Sequence, residues 1–283
     1  MLAHFSSPYK AGLLRPIHMK YSFMSFSTPE LSLDGMLLLA KKIGYDGIEP
    51  RIDANHAHGI EISIGNAKRR EIKEKALSSG IAICCLATSC NYADPEKHEQ
   101  MVARTHECID LAGDVGAPSI RVFGGRLPEN VKREEAVELL VKGFSTLASH
   151  AAERGVKICI ETHDDWCDPQ DVATVIRRVN RAFIGINWDI MHPVRVAGKT
   201  IQESFDILKP WIYHLHVHDG TTKDGKLQLV PIGTGDIDHK LAIELLKTIS
   251  YDGYISGEWS GWEPYEVHLP RELKTLKDYE KGI

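Results

Sequence analysis

The chain has 283 residues, 43% hydrophobic and 26% charged, with a formal net charge of −5. That much apolar material supplies a substantial core, while the acidic balance argues against a broad nucleic-acid-binding face. No apolar run approaches the roughly 20 residues that a bilayer span needs, and the N-terminal twenty residues hold no sustained apolar stretch of the secretory kind.

Residues 1–17 are expected to form an N-terminal arm ahead of the first strand. The run KYSFMSF (20–26) then opens an alternation of short β-rich segments and longer segments of helical period. A helix is expected over 31–44, a strand over 46–52, a helix over 67–80 and a strand over 81–87. Next come a helix over 95–116, a strand over 119–125, a helix over 132–155 and a strand over 156–162. The second half repeats the pattern, with strands at 183–189, 211–218 and 253–259 and helices at 168–179, 200–208, 238–250 and 269–281. Gly44, Gly80, Gly116 and Gly155 close four of the helices, where glycine accepts a left-handed cap. Pro29, Pro95 and the pair Asp168-Pro169 suit helix starts. Eight βα units in one chain without a linker predict a single (β/α)8 TIM barrel, an α/β fold. The alternative is an open doubly wound sheet, but no G-x-G-x-x-G follows the first strand.

The six cysteines, Cys84, Cys85, Cys90, Cys108, Cys159 and Cys167, form no CxxC pair. In a chain this long they read as small apolar residues of a reduced, cytoplasmic protein.

The chemistry concentrates at four successive strand exits, which carry Glu161, Asp189, His216 and Glu258. Barrel enzymes place their active sites at the C-terminal ends of the strands. Inward-pointing ends of neighbouring strands converge there, so the four side chains can meet around one ion. Three carboxylates and one imidazole favour Mn²⁺, Mg²⁺ or Co²⁺, with Zn²⁺ also admitted. The alternative for Glu161 alone is a polar strand end. Asp189 and Glu258 sit inside runs that should be buried, where an unpaired charge is costly. Alternation puts His214, His216 and His218 on one strand face.

Other residues fall near the same rim. His56 follows the second strand, His163 lies two residues past Glu161, and Trp259 flanks Glu258. Each is a candidate substrate contact, against solvated loop or plain packing. Arg121, inside the fourth strand, could bind a carboxylate or phosphate, or instead pair with a neighbouring strand-end acid.

These motifs resemble the xylose-isomerase-like TIM-barrel superfamily, and within it the sugar phosphate isomerase/epimerase group. The resemblance rests on Glu161-x-His163, Asp189-x-x-His192, His214-x-His216-x-x-Asp219-Gly220 and Gly257-Glu258-Trp259. Gly47 and Glu49 resemble the family's second strand, and 231–238 (PIGTGDID) its glycine turn. The resemblance implies Glu161, Asp189, His216 and Glu258 as ligands of one divalent cation. It implies Glu161 and Glu258 as the acid/base pair, and His192 as a substrate contact. In endonuclease IV relatives an Asp-x-His would fall on Leu227 and Leu229, so a three-metal nuclease site is not expected.

The expected activity is a metal-dependent isomerase or epimerase acting on a small sugar, sugar phosphate or hydroxy-ketone through an enediolate. The alternative is a dehydratase on a keto-polyol, keto-sugar or keto-acid, with His192 or His218 as the acid. The partner is a small carbohydrate-like molecule, with no nucleic acid and no membrane. Exposed barrel helices leave homo-oligomerisation open.

Overall fold

The computed structural model describes residues 19–282, so the arm expected at 1–17 lies outside the described residues. The first half contains β1 (Lys20–Met24), α1 (Leu33–Ile43), β2 (Gly47–Glu49), α2 (Asn66–Ser79), β3 (Ala82–Ile83) and β4 (Leu86–Ala87). It continues with α3 (His98–Val115), β5 (Ser119–Phe123), α4 (Arg133–Arg154) and β6 (Lys157–Glu161). The second half contains α5 (Pro169–Val179), β7 (Ile184–Asp189), α6 (Met191–Arg195), α7 (Ile201–Leu208) and β8 (Ile212–Val217). It ends with β9 (Asp219–Lys223), β10 (Lys226–Val230), α8 (His239–Thr248), β11 (Tyr254–Gly257) and α9 (Tyr265–Lys281).

The main sheet is parallel, in the order β3-β2-β1-β11-β8-β7-β6-β5-β4. Its two ends, β3 and β4, are halves of the strand expected over 81–87. Arg51 bridges Ala87 and brings the ends together into the barrel. The break has its cause in the two neighbouring strands. Cys84 N donates to Ile48 O at 3.0 Å, but the next amide of that ladder belongs to Pro50, which has none. Ser119 Oγ, on the other neighbouring strand, donates to Cys84 O instead, at 3.0 Å. The strand rejoins the β2 side one residue out of register, where Ala87 N donates to Pro50 O and Ile52 N to Ala87 O, each at 3.0 Å.

Further elements depart from the expected pattern. β9 and β10 form an antiparallel hairpin outside the barrel. Asp224 and Gly225 make its turn, with φ of 51° and 74°. An Asp-Gly pair is a strong signal for such a turn. The short helix α6 also goes beyond the sequence reading. α9 starts at Tyr265, ahead of the expected 269, and carries Pro270 inside it.

Alternation along the strands separates two chemistries. Ile48, Ile120, Ile158, Ile160, Ile186, Leu215 and Ile255 are fully buried. They face the ring of helices and contribute about 1.5–3 kcal/mol each. The intervening positions hold Glu49, Arg121, Glu161, Asn187, Asp189, His214, His216 and Ser256, equally buried but facing the barrel interior. The fold therefore has an apolar shell around a polar lumen.

The chain leaving β8 is pinned by Asp219. Its Oδ1 accepts from Gly220 N (2.9 Å) and Ile237 N (3.2 Å). Its Oδ2 accepts from Gly233 N (2.9 Å) and Gly235 N (3.0 Å). A Cβ at Gly235 would fall 2.2 Å from Asp219 Oδ1, so this turn admits only glycine there. No helix among the described residues is long and apolar enough to cross a membrane.

Candidate metal centre

Glu161 ends β6, Asp189 ends β7, His216 lies one residue from the end of β8, and Glu258 follows β11 directly. Strand register sets them side by side, because Glu161 pairs with Asn187 and Asp189 with His216. Their ligand atoms all lie within 4.8 Å of one another. His216 is the hub. Its Nδ1 lies 2.6 Å from Glu161 Oε1 and 2.9 Å from Glu258 Oε2. Its Nε2 lies 3.1 Å from Glu49 Oε1. With Nε2–H donated to Glu49, the Nδ1 lone pair is the one offered to the cluster.

Glu161 Oε2, Asp189 Oδ2 and Glu258 Oε2 are buried and lack a well-aligned hydrogen bond, each facing instead an ion-pair nitrogen: Arg121 Nε at 3.3 Å, His218 Nε2 at 2.9 Å and His216 Nδ1 at 2.9 Å. Three carboxylates and an imidazole gathered this closely suit a hard divalent cation. The donor set of oxygens and one imidazole nitrogen agrees.

Cationic neighbours hold the carboxyls ionised. Burial alone would raise Glu161, but Arg121 and His216 outweigh it and bring the carboxyl down to about 2. Burial likewise opposes ionisation of Asp189, and His218 and His192 overcome it. Burial and the nearby Glu161 both raise Glu258, yet His216 and Arg121 leave it below the ordinary value. Burial disfavours charge on His216, but Glu49, Glu161 and Glu258 surround it and push it well up.

The surrounding residues divide by contact. Arg121 is fully buried, 3.3 Å from Glu161 Oε2 through Nε, and donates from Nη1 to Thr88 O at 2.9 Å. Its guanidinium lies over the Phe123 ring at 4.0 Å, and its contact with Glu161 is the ion pair that the sequence offered as the alternative. His218 Nε2 approaches Asp189 Oδ2 at 2.9 Å, and His192 Nε2 approaches it at 3.7 Å. Asp189 Oδ1 accepts from Met191 N at 2.8 Å, which ties α6 to the site. His163, His192 and His218 form an edge-to-face row with centroid spacings of 4.5 and 5.6 Å. Burial would lower His163, but Asp164 and Glu161 raise it to about 9. His56 sits apart on the rim, its Nδ1 2.8 Å from Ser25 Oγ. Trp259 is in the core, packed edge-on against His268 at 5.1 Å.

Two buried groups complete the cluster beyond the candidates named from sequence. Glu49 receives His214 Nε2 at 2.8 Å as well as His216. Asn187 Nδ2 donates to Glu161 Oε1 at 3.1 Å. Both carried the signal that singled out Asp189, a polar residue within a run that folds as a buried strand.

A parallel barrel with a convergent carboxylate–imidazole cluster at its C-terminal rim defines the class. A family model described as xylose isomerase-like TIM barrel matches residues 37–279. The chain belongs to that family. It is 22% identical over 280 residues to 3-dehydroshikimate dehydratase of Bacillus anthracis, covering 91% of this chain and 96% of that one. It is 22% identical over 240 residues to L-ribulose-5-phosphate 3-epimerase UlaE of Escherichia coli, covering 79% and 81%. A 29% identical protein of Methanocaldococcus jannaschii, MJ1311, matches 57% of this chain, and the match spans 58% of that protein's own length. The solved IolI protein with a bound zinc atom superposes with a TM-score of 0.75 at 22% identity, over 92% of this chain and 96% of that one.

Proposed function

We propose that this chain is a divalent-metal-dependent isomerase or epimerase acting on a small hydroxy-ketone of the sugar or sugar-phosphate kind. The observation that carries the reading is the cluster of Glu161, Asp189, His216 and Glu258, whose ligand atoms lie within 4.8 Å of one another. Glu161, Asp189, His216 and Glu258 would hold the cation. When bound, it supplies Lewis-acid stabilisation of negative charge on substrate oxygens.

The protein's own groups move the proton. Glu161 and Glu258 come from strands separated by β7 and β8, so they approach the cluster from different sides. One carboxylate removes the proton α to the carbonyl and the other returns one, which gives epimerisation or a 1,2-shift. Arg121 keeps Glu161 ionised and oriented. Glu49 fixes the tautomer of His216. The epimerase relative supports this reading at the level of reaction class.

A second reading is dehydration after the same first step. It is favoured by the row His163, His192 and His218 beside Asp189, which could protonate a departing β-hydroxyl. The dehydratase relative, matched over nearly its whole length, is consistent with it.

Incubation with candidate ketoses in D₂O separates the two. Deuterium at the α-carbon with the carbon skeleton intact supports the isomerase, and an enone chromophore supports the dehydratase. Turnover that survives exhaustive chelation would sink both. Glu258→Gln is expected to fold normally and to lose proton exchange by at least about 100-fold; retained exchange would reject its role.

A further inference from the structure

On the metal-site reading above, we propose that the substrate carries an oxyanion, a carboxylate or a phosphate ester, and that Arg51 binds it. β2 places Gly47, Glu49 and Arg51 on one strand face. Glu49 faces the lumen, where His214 and His216 hold it. Arg51 stands one step further out, at the rim, where its backbone bridges Ala87. Its amide donates to Ser25 Oγ at 2.8 Å, and Ser25 also holds His56.

Arg51 is half-buried, and no carboxylate contacts its guanidinium among the described residues. Nη2 donates to Ser89 Oγ at 2.6 Å, and Nη1 reaches the carbonyls of Ile52 and Ala87. These are neutral acceptors. The nearby acids are engaged elsewhere: Asp53 pairs with Arg104, and Glu61 accepts from Asp53 N at 2.9 Å. Residues 1–18 contain no Asp or Glu. Burial, followed by repulsion from Arg121, lowers Arg51 to about 10.

A partly desolvated cation without a partner is unfavourable unless something completes it. Arg121, by contrast, has Glu161. Arg51 continues the inward face of β2 one step beyond Glu49, on the strand-exit side of the barrel that also carries Glu161 and Glu258. An arginine fork suits planar carboxylate and phosphate oxygens. Held there, the acidic group would anchor one end of the substrate while its hydroxy-ketone end meets the cluster.

Calorimetric titration of the Mn²⁺-loaded protein with glycerol, glycerate and glycerol 3-phosphate tests this without turnover. At least one acid should bind about tenfold or more tighter than glycerol, as expected for a charge-assisted pair. Arg51→Gln should remove that preference and leave glycerol binding unchanged. If Arg51→Gln does not fold, Arg51→Lys, which loses the fork, should still weaken the acid. The better of the two acids identifies the group. Equal binding of all three compounds, or acids held as tightly by the variants as by wild type, overturns the proposal. An Arg51-dependent preference without α-proton exchange would instead count against the isomerase reading alone.

Discussion

Glu161 and Glu258 both touch His216 Nδ1, yet they are not equivalent. Glu161 is fully buried and is the only ion-pair partner of Arg121 among the described residues. Glu161→Gln therefore strands a buried guanidinium, at an expected cost of about 3–5 kcal/mol of stability. Glu258 keeps 15% exposure, and the neighbouring Glu161 disfavours its ionised form, so Glu258→Gln should cost far less. Urea unfolding of the chelated proteins checks the order; equal losses would mean that Arg121 finds its charge balance elsewhere. The four strand-end candidates were legible because acids and an imidazole stood at the exits of apolar runs. Glu49 carried a similar mark, but its significance depends on His214, 165 residues away. No local pattern encodes that distance.

At the level of elements, periodicity located the eight barrel strands and most helices, since apolar spacing is a local property. It missed the division of 81–87, because the cause lies across the sheet in Pro50 and Ser119. It also missed the hairpin β9–β10, although Asp224-Gly225 marked its turn. That hairpin is tied at its base by Asp219, which gathers four backbone amides. Asp219→Ala orphans them at about 1–3 kcal/mol per buried group, so a total loss above about 3 kcal/mol is expected. Hydrogen exchange should show 231–237 opening in the variant. Unchanged protection there would show that the turn is held by its own geometry.

Over the whole molecule, opposing titrations set a narrow stability optimum in the metal-free state. Glu161 is depressed from 4.5 to about 2, so its contribution is complete above 4.5 and lost as pH falls toward 2. Burial holds His58 and His268 down at about 4 from 6.5, so acid forces protons onto groups packed as neutral. Their penalty grows below pH 6.5. His163 runs the other way. Raised from 6.5 to about 9, it contributes fully below 6.5 and loses that contribution as pH rises through 9. The urea midpoint of chelated protein should therefore peak near pH 6.5 and fall toward both pH 4 and pH 9; a maximum at pH 9 would refute the balance.

The alternation of shell and lumen has a consequence for how such a protein can change. Ile158 and Ile160 meet the helices, while Glu161 and its counterparts face the barrel interior, although they share one strand. Folding and reactivity are thus written in interleaved positions of the same segments. A lumen residue can be exchanged without disturbing the packing beneath the helices, provided its charge partner changes with it. The unit of drift at this centre is then the pair, Arg121 with Glu161 or His214 with Glu49, rather than the single residue.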